Sequence, residues 1–206
     1  MFLLPSRGRP DKLKRFIDAW HATGATAIVV LLLDDDDVPK YAAIEMPKSW
    51  ITITAPRIPI AHRLQWAFDY TPGERYYGFL ADDLLPRTEG WDQKLIEAAG
   101  DDGVAFGKDS IYNGSFASHP VVAGELVRRV GWLSLVGLQH LYVDAVWTEI
   151  GRQLGTLRYL PDVVVEHLHF SNQKAELDKT YNDHFKYSDG DKRVFEAWKK
   201  EYRCAS

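Results

Sequence analysis

The chain has 206 residues, of which 46% are hydrophobic and 26% are charged, and this composition is typical of a globular protein and excludes a disordered or fibrous one. The length favours one domain, so we expect residues 1–206 to form a single folding unit. The net charge of -4 and the isoelectric point near 6.0 argue against a broad electrostatic grip on nucleic acid.

Signals for export or membrane insertion are weak. The longest apolar run, 27–33, is too short to cross a bilayer, and Pro5 interrupts the apolar start of the chain before a signal-like segment develops. Cys204 is the single cysteine, which allows no internal disulfide and no multi-cysteine metal site. We therefore expect a cytoplasmic protein without a membrane span.

The first half of the sequence predicts strands that alternate with helices. The strands are expected at 2–4, 27–33, 50–54 and 76–80, and the helices after Pro10, around 61–68 and around 91–98. The run at 27–33 shows no polar alternation, which is typical of a parallel strand buried on both faces. We therefore expect an α/β fold with a Rossmann-like, mostly parallel central sheet flanked by helices.

The second half is less regular. Its expected elements are short strands at 104–106 and 115–117, a helix at 126–130 closed by Gly131, a helix at 144–154, strands at 157–160 and 163–167 divided by Pro161 and Asp162, and an amphipathic helix at 191–202. The contrast between the halves indicates a nucleotide-binding half followed by a less regular acceptor-binding half.

Acidic residues follow two of the predicted strands. Asp82 and Asp83 come after the strand at 76–80, and the run from Asp34 to Asp37 follows the strand at 27–33. Ligands collect beyond the carboxyl ends of parallel strands. The carboxylate pair Asp82-Asp83 suits Mg²⁺ or Mn²⁺ at such a position. An acid of the run from Asp34 to Asp37, most readily Asp34 or Asp36, can accept hydrogen bonds from a nucleotide. The alternatives are a helix-capping turn for the pair and a solvated acidic loop for the run.

Two further groups are candidates for the same site. His167 and His169 project to one face if their strand continues, and imidazole is a common ligand of transition metals, although ordinary surface or core histidines fit the pattern too. Arg7 and Arg9 follow the first strand, where guanidinium and backbone amide groups suit a diphosphate; the alternative is a surface turn. The loop lacks a GxGxxG or P-loop pattern, which removes dehydrogenase and plain kinase functions.

Asp144 lies at the start of the helix predicted at 144–154. It either belongs to the outer surface of that helix or faces a pocket. A carboxylate that faces the pocket has the chemistry of a general base, because it can remove a proton from an acceptor hydroxyl.

Taken in order, the segment 4–10, the acid-ended second strand, the segment 80–83, Asp144 and the segment 166–169 resemble a GT-A-type glycosyltransferase of the family 2 kind. The resemblance covers nearly the whole chain. The segments 86–92 and 159–167 look like the compact single-domain forms that phages and mobile elements often encode.

The resemblance implies a metal-dependent, inverting glycosyltransferase that moves one sugar from a nucleoside-diphosphate sugar, with UDP the commonest carrier in the family. It implies that Asp144 is the catalytic base, that Asp82 contacts the ribose or the metal, that Asp83 ligates Mn²⁺ or Mg²⁺, and that His167 or His169 completes the metal shell. The residues expected to contact the donor are Pro5, Ser6, Arg7, Arg9, Asp34, Asp36 and Asp82. The sequence departs from the family in having Ala81-Asp82-Asp83 in place of Asp-x-Asp, and it lacks the Gln-x-x-Arg-Trp motif of processive synthases, so transfer of a single sugar is expected.

Two other functions fit parts of the sequence. A sugar-phosphate nucleotidyltransferase uses a related sheet with acidic metal sites, and the Arg7-Gly8-Arg9 loop suits its triphosphate substrate. A non-catalytic carbohydrate- or nucleotide-binding module fits the aromatic content of 13%. The acceptor stays open among a glycan, a protein, a small molecule and a modified DNA base, and the sequence does not indicate an oligomeric state.

Overall fold

The computed structural model describes residues 1–176 and 185–205, with side chains described as far as Tyr202. Within these ranges the chain forms an eight-stranded sheet and six α-helices. The strands are β1 (Phe2–Pro5), β2 (Val29–Asp34), β3 (Ile51–Ala55), β4 (Tyr76–Phe79), β5 (Leu84–Pro86), β6 (Val104–Lys108), β7 (Val121–Ala123) and β8 (Leu157–His167). The helices are α1 (Pro10–Ala22), α2 (Ile60–Tyr70), α3 (Trp91–Ala99), α4 (Gly124–Val130), α5 (Val143–Gln153) and α6 (Ser188–Ala205).

The strands lie in the order β3-β2-β1-β4-β7-β6-β8-β5. The first four are mutually parallel, and β6 is parallel to β8, whereas β7 is antiparallel to both of its neighbours and β5 is antiparallel to β8. This arrangement confirms the predicted α/β class with a mostly parallel sheet. Because β1, β2 and β4 run in one direction, the loops that follow them meet at one edge of the sheet.

Two apolar clusters cover the two faces of the sheet. Successive side chains of a strand point to opposite faces, so Leu3 packs into one cluster while Phe2 and Leu4 pack into the other. Trp147 is fully buried in the first cluster, and Trp20 is buried in the second. The helices therefore enclose the sheet on both sides and leave its carboxyl edge for a ligand.

Most predicted elements are confirmed, but the strand predicted at 115–117 is wrong. The region between β6 and β7 consists of turns, in which Ser110 and Asn113 have φ values of 68° and 46°. Asp109 organises this region, because its Oδ1 accepts hydrogen bonds from the backbone N–H groups of Ile111, at 2.9 Å, and Tyr112, at 2.8 Å. The neighbouring strand of the sheet is instead β7, which the sequence pattern did not predict.

The two strands predicted at 157–160 and 163–167 form one continuous strand, β8. Its pairing with β6 shifts register between Gly107, which faces Leu160, and Lys108, which faces Val164. Pro161 falls in this irregularity, where a residue without a backbone N–H is tolerated. None of the helices in the described ranges has the length and apolar character needed to cross a membrane.

The last helix is attached to the rest of the fold by a buried aspartate. Asp191 is 1% exposed, and its carboxylate accepts hydrogen bonds from the backbone N–H groups of Gln139, His140 and Leu141 at 2.8, 2.8 and 2.7 Å. These contacts hold the segment 139–141 in place at the entrance to α5.

Candidate active site

A cleft of about 640 Å³ lies at the carboxyl edge of the sheet, beside the loops that follow β1, β2 and β4. Among the described residues, its charged lining comprises six basic and three acidic side chains: Arg7, Arg9, Lys40, Arg57, Arg63, Lys186, Asp34, Asp82 and Asp144. Several of these basic groups are paired with carboxylates, as Arg7 is with Asp34 and Asp36 and Lys40 is with Asp37. Guanidinium and ammonium groups in a concave site can bind an anionic ligand.

Two arginines converge on Asp34, the last residue of β2. Arg7 Nη1 donates to Asp34 Oδ2 at 2.6 Å, and the buried Arg63 donates from Nη2 to Asp34 Oδ1 at 2.8 Å. Arg7 also donates to both carboxylate oxygens of Asp36 at 2.7 and 2.8 Å, and this pairing lowers the pKa of Asp36 to about 2. Asp34 lines the cleft, whereas Asp36 is exposed at its margin and contributes through Arg7.

The loop after β1 contacts the first residue of the carboxylate pair. Ser6 Oγ donates to Asp82 Oδ2 at 2.7 Å and lies 2.8 Å from the hydroxyl of Tyr41. Asp82 is 4% exposed. Burial and the adjacent charge of Asp83 raise the pKa of Asp82 to about 6, against the opposing effects of Arg9 and Ser6. Pro5, Ser6 and Asp82 all line the cleft.

The second residue of the pair meets the histidines of β8. Strand β5 pairs with β8 so that Leu84 faces His167, which brings the preceding Asp83 close to that imidazole. Asp83 Oδ1 lies 3.4 Å from His167 Nε2, and the ring centroid of His169 lies 5.1 Å from that of His167. The structure therefore brings together residues that lie far apart in the sequence, as expected for a shared site.

This cluster offers two donor atoms to a divalent cation. Two adjacent ligands of an octahedral ion at about 2.1 Å are separated by about 3.0 Å, close to the Asp83–His167 distance, and Mg²⁺ commonly takes one or two protein ligands together with substrate phosphates. Among the described residues, no set of three or more His, Cys, Asp or Glu side chains is arranged to hold a metal. The residues therefore fit a cation that the ligand shares, and they do not form a complete protein cage.

Asp144 faces the cleft from the first turn of α5, and it does not lie on the outer surface of the helix. Its Oδ1 accepts a hydrogen bond from the N–H of Ala145 at 2.9 Å. Burial raises the pKa of Asp144 to about 7, because the effect of burial is larger than the lowering effect of that hydrogen bond. A carboxyl group with this pKa can exchange a proton near neutral pH.

Sequence reasoning missed a polar chain behind the histidines. Ser118 Oγ donates to Asp109 Oδ2 at 2.8 Å and lies 3.3 Å from His119 Nδ1, and the His119 ring packs edge-on against His167 with centroids 4.9 Å apart. Burial, and then His167, lower the pKa of His119 to about 3, so this imidazole is neutral. Asp109 directly follows β6, and the criterion that singled out Asp82 applies to it equally.

Sequence reasoning also missed a pair of stacked aromatic rings that line the cleft. His140 and Tyr187 stack with ring centroids 5.9 Å apart and an interplanar angle of 7°, next to Lys186. These residues come from a loop and from the segment before α6, where no pattern marks a site. The buried Arg63 was missed because, in the sequence, it is one charged residue in an amphipathic helix.

No protein-family model matches this chain, and no curated protein matches it in sequence. Solved structures do match. The mannosyltransferase PcManGT from Pyrobaculum calidifontis, in complex with GDP-Man and Mn²⁺, superposes with a TM-score of 0.60 at 14% identity. That match covers 81% of this chain and 55% of the mannosyltransferase, so this chain spans little more than half of that protein.

Two other matches cover nearly the whole of both chains. A protein assigned as a nucleotide-diphospho-sugar transferase from Desulfovibrio desulfuricans G20 has a TM-score of 0.52 at 14% identity, with coverage of 94% and 96%. A protein assigned as a glucose-1-phosphate thymidylyltransferase from Bacillus anthracis, in complex with sucrose, has a TM-score of 0.55 at 9% identity, with coverage of 88% and 98%.

At these identities the matches show the fold alone. The chain has the GT-A-type fold of nucleotide-diphospho-sugar transferases, which confirms the GT-A part of the resemblance inferred from its motifs. The solved structures that share this fold include the mannosyltransferase, the protein assigned as a nucleotide-diphospho-sugar transferase and the protein assigned as a thymidylyltransferase.

Proposed function

We propose that this protein transfers one sugar from a nucleoside-diphosphate sugar to an acceptor hydroxyl. The observation that carries the proposal is the position of the buried Asp82-Asp83 pair at the edge of a cleft rich in arginine and lysine, beside an arginine loop. Functional pockets commonly measure about 300–1,000 Å³, a range that includes this cleft.

The donor contacts follow from the lining of the cleft. Arg7 and Arg9 would bind the diphosphate, because a guanidinium group matches phosphate oxygens in a bidentate manner. Asp82 would accept a hydrogen bond from the ribose, and Asp34 would hold Arg7 and Arg63 in position. UDP is proposed as the nucleotide on family resemblance alone.

Asp83 and His167 would hold Mn²⁺ or Mg²⁺ through Oδ1 and Nε2, with His169 as a neighbouring donor. When bound, such an ion neutralises the negative charge that develops on a departing nucleoside diphosphate. The buried position of Asp83 restricts water around this contact, which strengthens its electrostatic effect.

Asp144 would act as the general base. Its carboxylate takes the proton of the acceptor hydroxyl while the acceptor oxygen forms a bond to the anomeric carbon and the bond from that carbon to the diphosphate oxygen breaks. Attack from the face opposite to the leaving group inverts the anomeric configuration. A base is most effective when its pKa lies near the working pH, and the pKa of Asp144 is about 7.

The proposal is tested by measuring nucleoside-diphosphate release from a panel of nucleoside-diphosphate sugars, with Mn²⁺ or Mg²⁺ and with candidate acceptors. We expect release from one donor class, and a loss of about 10²-fold or more in Asp83→Asn. Asp18→Asn is the matched control, because Asp18 is exposed on α1 and pairs with Lys14. Full activity in a folded Asp83→Asn protein, or no release from any donor, would contradict the proposal.

A nucleotidyltransferase is the second candidate, because the thymidylyltransferase match covers 98% of that protein. Release of pyrophosphate from a nucleoside triphosphate and a sugar 1-phosphate would favour it. A non-catalytic binding module predicts that ligands bind tightly without turnover, and that Asp144→Asn leaves the binding unchanged.

A further inference from the structure

Arg9 occupies the position between the two carboxylates of the acidic pair. Its Nη1 lies 3.3 Å from Asp82 Oδ1 and 3.6 Å from Asp83 Oδ2. The Arg9 side chain is 9% exposed, and both aspartate side chains are 5% exposed. One guanidinium group thus serves two adjacent buried carboxylates.

This arrangement has an electrostatic cause. Two buried carboxylates cannot both be ionised at low cost without a compensating cation, because a buried charge that lacks a partner strongly destabilises a protein. Arg9 supplies that cation. A divalent ion on Asp83 would compete with Arg9, because both cations neutralise the same pair of carboxylates and repel each other at short range.

Arg9 also lines the cleft, next to Arg7 and Gly8 in the loop that follows β1. A diphosphate in the cleft would offer this guanidinium group a second anionic partner. Movement of Arg9 from the aspartates to the diphosphate would leave the aspartates with unbalanced negative charge, which favours the binding of a divalent cation.

We propose that Arg9 is an exchangeable counter-ion of the Asp82-Asp83 pair, and that it couples the binding of a divalent cation to the binding of the diphosphate. The inference rests on the proposed donor class. Coupling of this kind is reciprocal, so the cation strengthens diphosphate binding by the same factor. Arg9 therefore favours loading of the cation together with the nucleotide.

The test measures the affinity for Mn²⁺ alone, from the electron paramagnetic resonance signal of free Mn²⁺, in wild type, Arg9→Met and Arg9→Lys. Arg9→Met removes the competing charge and keeps an apolar stem, so we expect Mn²⁺ to bind about 5- to 150-fold more tightly than in wild type, the usual range for coupling between sites. Arg9→Lys should show a smaller gain, because an ammonium group is a compact point charge that cannot bridge both carboxylates as a fork. Arg128→Gln, which removes a charge near the Glu125 side chain on α4, should bind Mn²⁺ like wild type.

The same measurements are repeated with UDP and GDP, corrected for the Mn²⁺ that the free nucleotides bind. Wild type should gain affinity for Mn²⁺ when the nucleotide binds, and the gain should shrink toward onefold in Arg9→Met. Thermal unfolding of each variant reports whether it is folded. If Arg9→Met does not fold, the Mn²⁺ affinity of Arg9→Lys alone tests the counter-ion role of Arg9.

Two results separate this inference from the proposed function. The counter-ion role is overturned if folded Arg9→Met binds Mn²⁺ without nucleotide no more tightly than wild type does. If only Arg9→Lys folds, the same result in that variant overturns it. Either result holds even if the enzyme transfers sugar. Tighter Mn²⁺ binding in the variants, with no nucleoside diphosphate bound or released by wild type, supports the counter-ion role and contradicts the donor class.

Discussion

The attachment of α6 through Asp191 gives a stability prediction that does not depend on the function. In wild type, Asp191 Oδ1 accepts one backbone N–H, that of Gln139, and Oδ2 accepts two, those of His140 and Leu141. Asp191→Asn keeps one oxygen, removes the negative charge and places an NH₂ group against at least one N–H. Hydrogen bonds to charged groups contribute about 1.5–3 kcal/mol each, and a buried donor without a partner costs about 1–3 kcal/mol.

We therefore expect Asp191→Asn to lower the free energy of unfolding by about 2–4 kcal/mol, because the loss of one charge-assisted bond and of the charge on the others sets the scale. Urea unfolding followed by circular dichroism measures this as a lower midpoint with an unchanged slope. Asp189→Asn is the matched control: Asp189 is exposed in the first turn of the same helix, where an acid contributes at most about 1 kcal/mol. The reasoning is refuted if Asp191→Asn unfolds within about 0.5 kcal/mol of wild type.

Three further predictions concern the cleft and the sheet. Burial raises the pKa of Asp144 to about 7, so the rate of sugar transfer should fall about tenfold per pH unit below that pKa as the base is protonated. Asp144→Asn should lower the rate by about 10²- to 10⁴-fold. A rate that does not change from pH 5 to 8 would contradict the role of Asp144 as the base. The same raised pKa means that ionisation of Asp144 opposes folding between about pH 4 and pH 7, so urea titrations should show Asp144→Asn gaining stability relative to wild type as pH rises from 4 to 8. A Cβ added at Gly107 would collide with the carbonyl oxygen of Val163, so Gly107→Ala should lower the free energy of unfolding by about 1–3 kcal/mol in urea titrations, and an unchanged midpoint would show that β8 adjusts freely.

The sequence predicted those parts of the site that depend on local patterns. The apolar runs that become β1, β2 and β4 mark their own ends, so the positions of Ser6, Asp34 and Asp82 at one sheet edge follow from strand direction. The inward direction of Asp144 needed the structure, because its helix pattern fits both orientations. The catalytic and ligand roles of these residues remain predictions.

Other parts depend on contacts between distant segments. The three-residue strand β5 has no pattern of its own, and it exists because it pairs with β8. The residues at 115–117 have strand-like side chains, but the segment forms turns, because the Asp109 carboxylate accepts hydrogen bonds from several backbone N–H groups there. Arg63 appeared as an ordinary helix residue because its burial depends on Asp34 and on carbonyl groups from other elements.

The β5–β8 pairing has a consequence for how the protein is made. The arginine loop and both aspartates are synthesised early, whereas His167 arrives at the end of β8, after most of the chain has left the ribosome. A nascent chain, or a fragment that stops before β8, would carry Arg9 and the acidic pair without their imidazole neighbour. The contact between Asp83 and His167 therefore forms only after β8 has been made and has paired with β5.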